Sequence, residues 1–309
     1  MALNKQTFIT RTLTAIVFAA IMLLGLLWNH WSFFILFSVI HFGCWWEYLK
    51  LTERIHKTTL HIYTRLGFML MGYGIMLLFC GEVYQLNGYS IKNNVSLPIS
   101  VAGFALLLMG IFQANIIRTK AIVMAGVGVS YISLCWGLML DLTSVDSIIM
   151  NNSIIKPVKG TSFYLSDIVI YGSETVLFVI AFPLLTILSI WINDTMAYIV
   201  GSLMGRTPLS KISPKKTWEG TIGGIILSSF SVALIGKYLL DFSFIHSLFI
   251  AFTAAITGTF GDLLESKLKR MANVKDSGSI MPGHGGFLDR FDSLLLATPF
   301  VWLYVIFFL

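Results

Sequence analysis

Asp262 and Asp289 are the residues from which a chemistry can first be read. Each sits at the edge of an apolar stretch, in a chain of which only 12% is charged. Around them lie the carboxylates Glu265, Asp276 and Asp292 and the cations Lys267, Lys269, Arg270, Lys275 and Arg290. Hard oxygen ligands from Asp262 and Asp289, meeting across two helix ends, suit Mg²⁺. The adjacent Lys and Arg suit phosphate groups. Asp289 and Asp292 are three apart and share a face if a helix has begun by then. Acids and bases this dense point to a metal–polyphosphate site more than to a solvated loop. On these residues alone, transport and scaffolding stay open.

Two further polar clusters interrupt apolar surroundings. In "IWINDTMAYIVGSLMGR", Asp194 lies within an apolar segment. An ionisable residue at membrane depth is expensive and marks a functional candidate; the competing reading is a polar clamp between helices. Gly201 and Gly205 form a small-residue pair that fits a packing face better than a phosphate cradle. In "KISPKKTWEG", Lys215 and Lys216 precede a segment opening at Gly220. On its own this is a basic loop at a membrane face. Paired lysines beside a helix N-terminus also suit a polyphosphate, since backbone N–H groups and the helix dipole attract anions. His284, between Gly283 and Gly285, could act as a base. A phosphate monoester is already anionic near neutral pH, so a positioning or phosphate-contacting role fits His284 better.

The elements that must hold these residues are membrane helices. The chain has 309 residues, 56% of them hydrophobic, and a mean hydropathy of +0.82, whereas soluble domains carry about 25% charged residues. Hydropathy predicts an all-α integral membrane protein of about nine spans. These run 12–28, 31–49, 66–80, 97–117, 121–142, 176–204, 220–240, 244–264 and 294–309. The first is expected to be retained, because Leu27-Trp28-Asn29-His30-Trp31 offers no small-residue cleavage site. With the N-terminus in the cytoplasm and the C-terminus outside, all Lys and Arg except Lys92, Lys156, Lys159 and Lys237 fall on the cytoplasmic side. That is the positive-inside bias. It accounts for the formal charge of +6 through topology and anionic headgroups, and points away from nucleic acid as a partner. Cys44, Cys80 and Cys135 lie in apolar stretches and read as packing residues. The outer segment 143–175 is expected to hold a short amphipathic or β element. The chain reads as one membrane domain in which residues 1–175 are scaffold and residues 176–309 carry the chemistry.

The run "SKLKRMANVKDSGSIMPGHGGFLDRFDS" resembles the hallmark of the phosphatidate cytidylyltransferases, or CDP-diacylglycerol synthases. Ser266, Lys269, Arg270, Lys275, Asp276, His284, Gly285, Gly286, Asp289, Arg290 and Asp292 match its fixed positions; Met281 stands where the family more often has Leu, Ile or Phe. "NDTMAYIVGSLMGR" and "KISPKKTWEG" are similar to weaker family stretches, and the short termini resemble the bacterial form. The resemblance implies transfer of the cytidylyl group of CTP to phosphatidate, giving CDP-diacylglycerol and pyrophosphate. It also implies Mg²⁺ on Asp262 and Asp289, a second, monovalent cation (K⁺), a homodimer, and a location in the inner (cytoplasmic) membrane with the site facing the cytoplasm.

With that reaction in view, Lys215 and Lys216, together with Lys275 or Arg290, are expected to hold the triphosphate. Lys267, Lys269 and Arg270, at headgroup depth, are expected to attract phosphatidate. Asp194 is expected to support a cation site. The nearest rival is a CTP-dependent lipid kinase of the polyprenol or dolichol type, which would release CDP. An anion or lipid transporter is a rival of another class, disfavoured because the polar clusters occupy one half of the chain only.

Overall fold

The computed structural model describes residues 5–114, 118–151, 163–165, 168–170, 181–240, 242–279 and 285–309. Helices α1 (Lys5–Leu27) and α2 (His30–His56) form the first pair. Asn29 sets the turn between them. Its side chain accepts from the Ser32 N–H at 2.7 Å, and Ser32 Oγ accepts from the Asn29 N–H at 3.0 Å, a reciprocal cap that satisfies two donors at the start of α2. Next come α3 (Ile62–Leu77), a small hairpin of β1 (Gln85–Leu86) and β2 (Tyr89–Ser90), the short α4 (Ile91–Asn94) and α5 (Ser96–Gln113). Helices α6 (Thr119–Gly128) and α7 (Cys135–Asn151) flank a π-helical turn, Val129–Leu134. The wider turn presents Ser133 to α2, where its Oγ accepts from Trp45 Nε1 at 2.9 Å and meets His41 Nε2 at 2.9 Å.

The second half contains α8 (Ala181–Met204), α9 (Trp218–Leu239), α10 (Phe244–Met271) and α11 (Leu288–Phe308). Between the halves, β3 (Phe163–Leu165) pairs antiparallel with β4 (Ile168–Ile170), a β element within 143–175 as expected; most of that segment lies outside the described residues. Among the described residues seven helices are long and apolar enough to cross a membrane, and Ile16–Leu27 and Ile62–Leu77 are shorter apolar helices. The protein is an all-α, multi-pass membrane protein.

Both halves share one buried core. The rings of Phe37, Trp136 and Phe291 join α2, α7 and α11, with centroids 5.1 and 5.7 Å apart. Trp302 of α11 donates its indole N–H to Asp141 of α7 at 2.7 Å. Cys44, Cys80 and Cys135 are free and buried. A cleft of about 880 Å³ opens at the polar end of α2 among Lys50, Arg54, Lys57 and Arg118. It is separate from the residues named above for chemistry.

Of the helix limits that differ from the sequence expectation, two matter for the site. Helix α10 continues past Leu264 to Met271, so the basic stretch after it is part of the same helix. Glu265 and Lys269, four apart, support that continuation. Asn273, at φ 56°, ends it: Val274 N–H bonds Lys269 C=O at 3.0 Å and Asn273 N–H bonds Arg270 C=O at 3.1 Å, a left-handed C-terminal cap. Helix α11 starts at Leu288 instead of Leu294, which puts Asp289 and Asp292 in its first two turns. Hydropathy misses this turn because Asp289, Arg290 and Asp292 lower its average.

Helices α10 and α11 approach closely at Gly261. A β-carbon there would lie 2.5 Å from the Asp292 carbonyl oxygen and 3.0 Å from Ser293 Cα. Gly261→Ala is therefore expected to force the helices apart and to cost about 1–3 kcal/mol. A lower thermal midpoint in detergent checks this; an unchanged midpoint contradicts the close approach.

Candidate active site

The site grows from the facing ends of α10 and α11, with the α8–α9 connection laid over them. Asp262 and Glu265 are three apart on α10, and Asp292 projects from α11. Carboxylate oxygens of these three lie within 4.8 Å of one another. Glu265 is fully buried, and its Oε1 has no hydrogen-bond partner among the described residues. Buried polar atoms are nearly always partnered. An orphaned carboxylate oxygen inside a cluster of three acids is what a hard cation would complete, so the residues present fit Mg²⁺.

Two ammonium groups border the cluster. Lys216 pairs with Asp262, and Lys269 pairs with both Glu265 and Asp289, the latter at 2.6 Å. Burial works against the charge of Lys216, yet Asp262, with Asp194 and Asp292 beyond it, lifts its pKa above the ordinary lysine value. The α8–α9 connection is built to present this lysine. Pro208 and Thr217 form an isolated antiparallel bridge, Leu209 N–H bonds Lys216 C=O at 2.7 Å, and Trp218 N–H bonds Thr207 C=O at 2.9 Å. Glu219 ties the connection down, accepting from the Thr207 hydroxyl at 2.8 Å and the Arg206 N–H at 3.1 Å. Thr217 caps α9 through the Gly220 N–H at 3.2 Å. Gly201 and Gly205 close on Thr217, the packing role expected of that pair.

Asp289 occupies a different environment from Asp262. Its Oδ1 accepts from Lys269, and its Oδ2 accepts from the Ser277 N–H at 2.8 Å, the Ser277 hydroxyl at 2.9 Å and the Gly286 N–H at 2.8 Å. Gly285, at φ 84°, turns the chain into this arrangement, a conformation that favours glycine. Asp289 also interacts with Glu265, so it borders the cluster of three acids.

Of the residues singled out from the sequence, Lys216, Asp262, Lys269 and Asp289 come together in this half-buried network. Lys269 turns inward, while its neighbours Lys267 and Arg270 are exposed. Asp194, Lys215, Lys275 and Arg290 are also exposed. Asp194 lies within electrostatic range of Lys216, Asp262 and Arg290. His284 lies outside the described residues.

Sequence reasoning missed three participants. Asp292 and Glu265 were noticed as acids but given no ligand role. Their spacing, with Asp262, Glu265 and Lys269 at i, i+3 and i+7 of one helix, was the available signal. The third is Glu47 of α2, which reads in sequence as an interfacial carboxylate. It is 2% exposed and accepts from the Ser277 hydroxyl at 2.7 Å and the Leu288 N–H at 2.9 Å. No local pattern announces that contact, because the partners are 230 and 241 residues away.

The acids that can hold a divalent cation are flanked by lysines, a charge pattern that fits phosphate-bearing ligands. The pattern that defines the Cytidylyltransferase family matches residues 9–308. The chain belongs to the cytidylyltransferase family. Among curated members, a phosphatidate cytidylyltransferase of Helicobacter pylori is 47% identical over 106 residues, covering 34% of this chain and 40% of that protein. The one from Bacillus subtilis is 45% identical over 115 residues, covering 37% and 43%. The chloroplastic phosphatidate cytidylyltransferase 4 of Arabidopsis thaliana is 47% identical over 117 residues, covering 37% and 29%. The matched stretch spans less than half the length of each of these relatives. Within the family, then, this chain carries its charge network at the junction of α8–α9, α10 and α11.

Proposed function

We propose that the protein transfers the cytidylyl group of CTP to phosphatidate, giving CDP-diacylglycerol and pyrophosphate. The observation that carries this is the convergence of Asp262, Glu265 and Asp292 between Lys216 and Lys269 in a chain of this family. A phosphate oxygen of phosphatidate attacks the α-phosphorus of CTP. The new P–O bond forms as the bond to the β-phosphate oxygen breaks, and pyrophosphate carries away the electron pair. Both reactants are anionic, so positioning and charge stabilisation do most of the work.

Mg²⁺ would be held by Asp262 with Glu265 and Asp292, and with Asp289 at the border of the set. When bound, it supplies charge neutralisation between the two phosphate-bearing reactants. Lys216 hands the triphosphate a cation already paired across the site, and the exposed Lys215, Lys275 and Arg290 surround it. Lys269 holds Glu265 and Asp289 apart from solvent and fixes their spacing. Lys267 and Arg270, exposed at the polar end of α10, draw in the phosphatidate headgroup. A second, monovalent cation such as K⁺ is assigned to the neighbourhood of Asp194. His284, next to Gly285 in the sequence, is assigned to contact or position phosphate.

The same reading takes nine spans, with the N-terminus and the site on the cytoplasmic side of the inner membrane, the C-terminus outside, and a homodimer as the working unit. The seven long helices together with the two shorter apolar ones support the count, and the distribution of Lys and Arg supports the orientation. The reaction is tested by adding phosphatidate and Mg²⁺ to the purified protein with CTP. Phosphatidate-dependent release of pyrophosphate is expected. Release of CDP, with phosphate passed to the lipid, would instead make the protein a lipid kinase.

A further inference from the structure

We propose that Glu47, on α2 in the half of the chain otherwise devoted to scaffold, is a positioning residue for the reacting centre. It sets the turn that delivers Asp289. The proposal rests on the cytidylyl-transfer reading for its activity arm and on geometry alone for the rest.

Helix α11 starts at Leu288, and its own N-cap residue, Phe287, provides no side-chain cap. The first N–H groups of a helix need acceptors from elsewhere. Glu47 provides them across the protein: Oε1 accepts from the Phe287 N–H at 3.0 Å and Oε2 from the Leu288 N–H at 2.9 Å. A carboxylate at this end also meets the positive pole of the helix. One turn earlier on α2, Gly43 leaves the space that the Phe287 ring fills. Gly278 and Gly286 bring their backbones against the Glu47 carboxylate, and a side chain at either would occupy its place. The turn is therefore moulded on the Gly43–Glu47 face of α2.

The link to chemistry runs through Ser277. Its hydroxyl lies 2.7 Å from Glu47 Oε2 and 2.9 Å from Asp289 Oδ2, so one hydrogen serves two carboxylates. Its backbone N–H donates to Asp289 as well. A displaced Glu47 moves Ser277, the first turn of α11 and Asp289 together. Of the cations assigned to CTP, Lys215 and Lys216 lie on the α8–α9 connection and make no contact with Glu47 among the described residues, while Lys275 and Arg290 flank the displaced segment. Loss of Glu47 should therefore lower turnover more than it weakens nucleotide binding.

The test is Glu47→Gln, whose amide turns a donor toward N–H groups that need acceptors. Turnover is expected to fall about 10- to 100-fold, the cost of misplacing a reacting group by about 1 Å, with KM for CTP changing much less. Hydrogen exchange is expected to accelerate in 277–279 and 285–289 while α8, α9 and the apolar part of α10 keep their protection. Glu47→Asp, which retains the charge, should recover part of both. Wild-type turnover with unchanged exchange overturns the proposal. So does exchange rising evenly through the molecule with turnover tracking thermal stability, since Glu47 would then serve the fold alone. If Glu47→Gln does not fold, Ser277→Ala decides: it cuts the bridge and the bond from the Asp289 N–H to the hydroxyl but keeps the Ser277 N–H bond to Asp289 and the N–H bonds of Phe287 and Leu288 to Glu47, so turnover falling more than KM changes supports the proposal and wild-type turnover overturns it. The exchange measurement needs no substrate, so failure of the positioning role is distinguishable from failure of the assigned reaction.

Discussion

Asp262→Asn lowers pyrophosphate release to about 1% of wild type or less, a loss of at least about 2.7 kcal/mol of transition-state stabilisation. The size follows from how much this carboxylate is asked to do. It is one of three acids whose oxygens converge within 4.8 Å, and it is the ion-pair partner of Lys216. The amide keeps the shape and removes the charge. Lys216 is left without its counter-charge, and the cation site loses an anionic ligand. Truncating one partner of a hydrogen-bonded charge pair in a shielded site costs several times what an exposed pair is worth. Weaker Mn²⁺ binding by the variant, read by electron paramagnetic resonance, should accompany the loss. Wild-type turnover, or unaltered Mn²⁺ binding, would remove Asp262 from the metal site.

Asp289→Asn is expected to be as damaging by another route. Four donors reach the two oxygens of this side chain: the Lys269 ammonium on Oδ1, and the Ser277 N–H and hydroxyl and the Gly286 N–H on Oδ2. An amide must point its own NH₂ at one of them. The turn loses its anchor, and Lys269 is left to Glu265. Turnover should fall about 100-fold, and the thermal midpoint should drop by several degrees, as expected when a buried network is broken. Asp262→Asn should lower the midpoint less, since Asp262 anchors no turn. Near wild-type activity in Asp289→Asn would contradict any role for this carboxylate in the reaction. The pair of variants thus separates an acid that serves a bound cation from one that also builds the loop.

How much of this was legible in the sequence depends on range. The charge deficit and the apolar runs gave the membrane class and placed a helix on each apolar run, because each span carries its own signal. The density of acids and bases between Asp262 and Asp292 marked the site, again locally. What was illegible depends on three-dimensional neighbours. Hydropathy ended the eighth span at Leu264 and began the ninth at Leu294, because the clusters of charge at 265–276 and 289–292 lower the local average. In the folded protein Lys269 pairs with Glu265 and Asp289, and these residues and Asp292 stay inside helices. That is why Lys269, which in sequence resembles its surface neighbours Lys267 and Arg270, turns inward. Glu47 lies at the limit of this reasoning: a single acid near the polar end of an apolar helix has an ordinary explanation at the membrane interface, and only the fold brings Ser277 and the start of α11 to it.

The central claim is that this site moves a cytidylyl group to a lipid phosphate, and doubly labelled CTP tests it most directly. Purified protein in phosphatidate-containing vesicles with Mg²⁺ would be given CTP labelled at both the α- and γ-phosphorus. The account predicts that the α-label enters the lipid fraction and the γ-label appears in pyrophosphate, in equal amounts, with both lost in Asp262→Asn. The γ-label entering the lipid while the α-label stays in soluble CDP would contradict it.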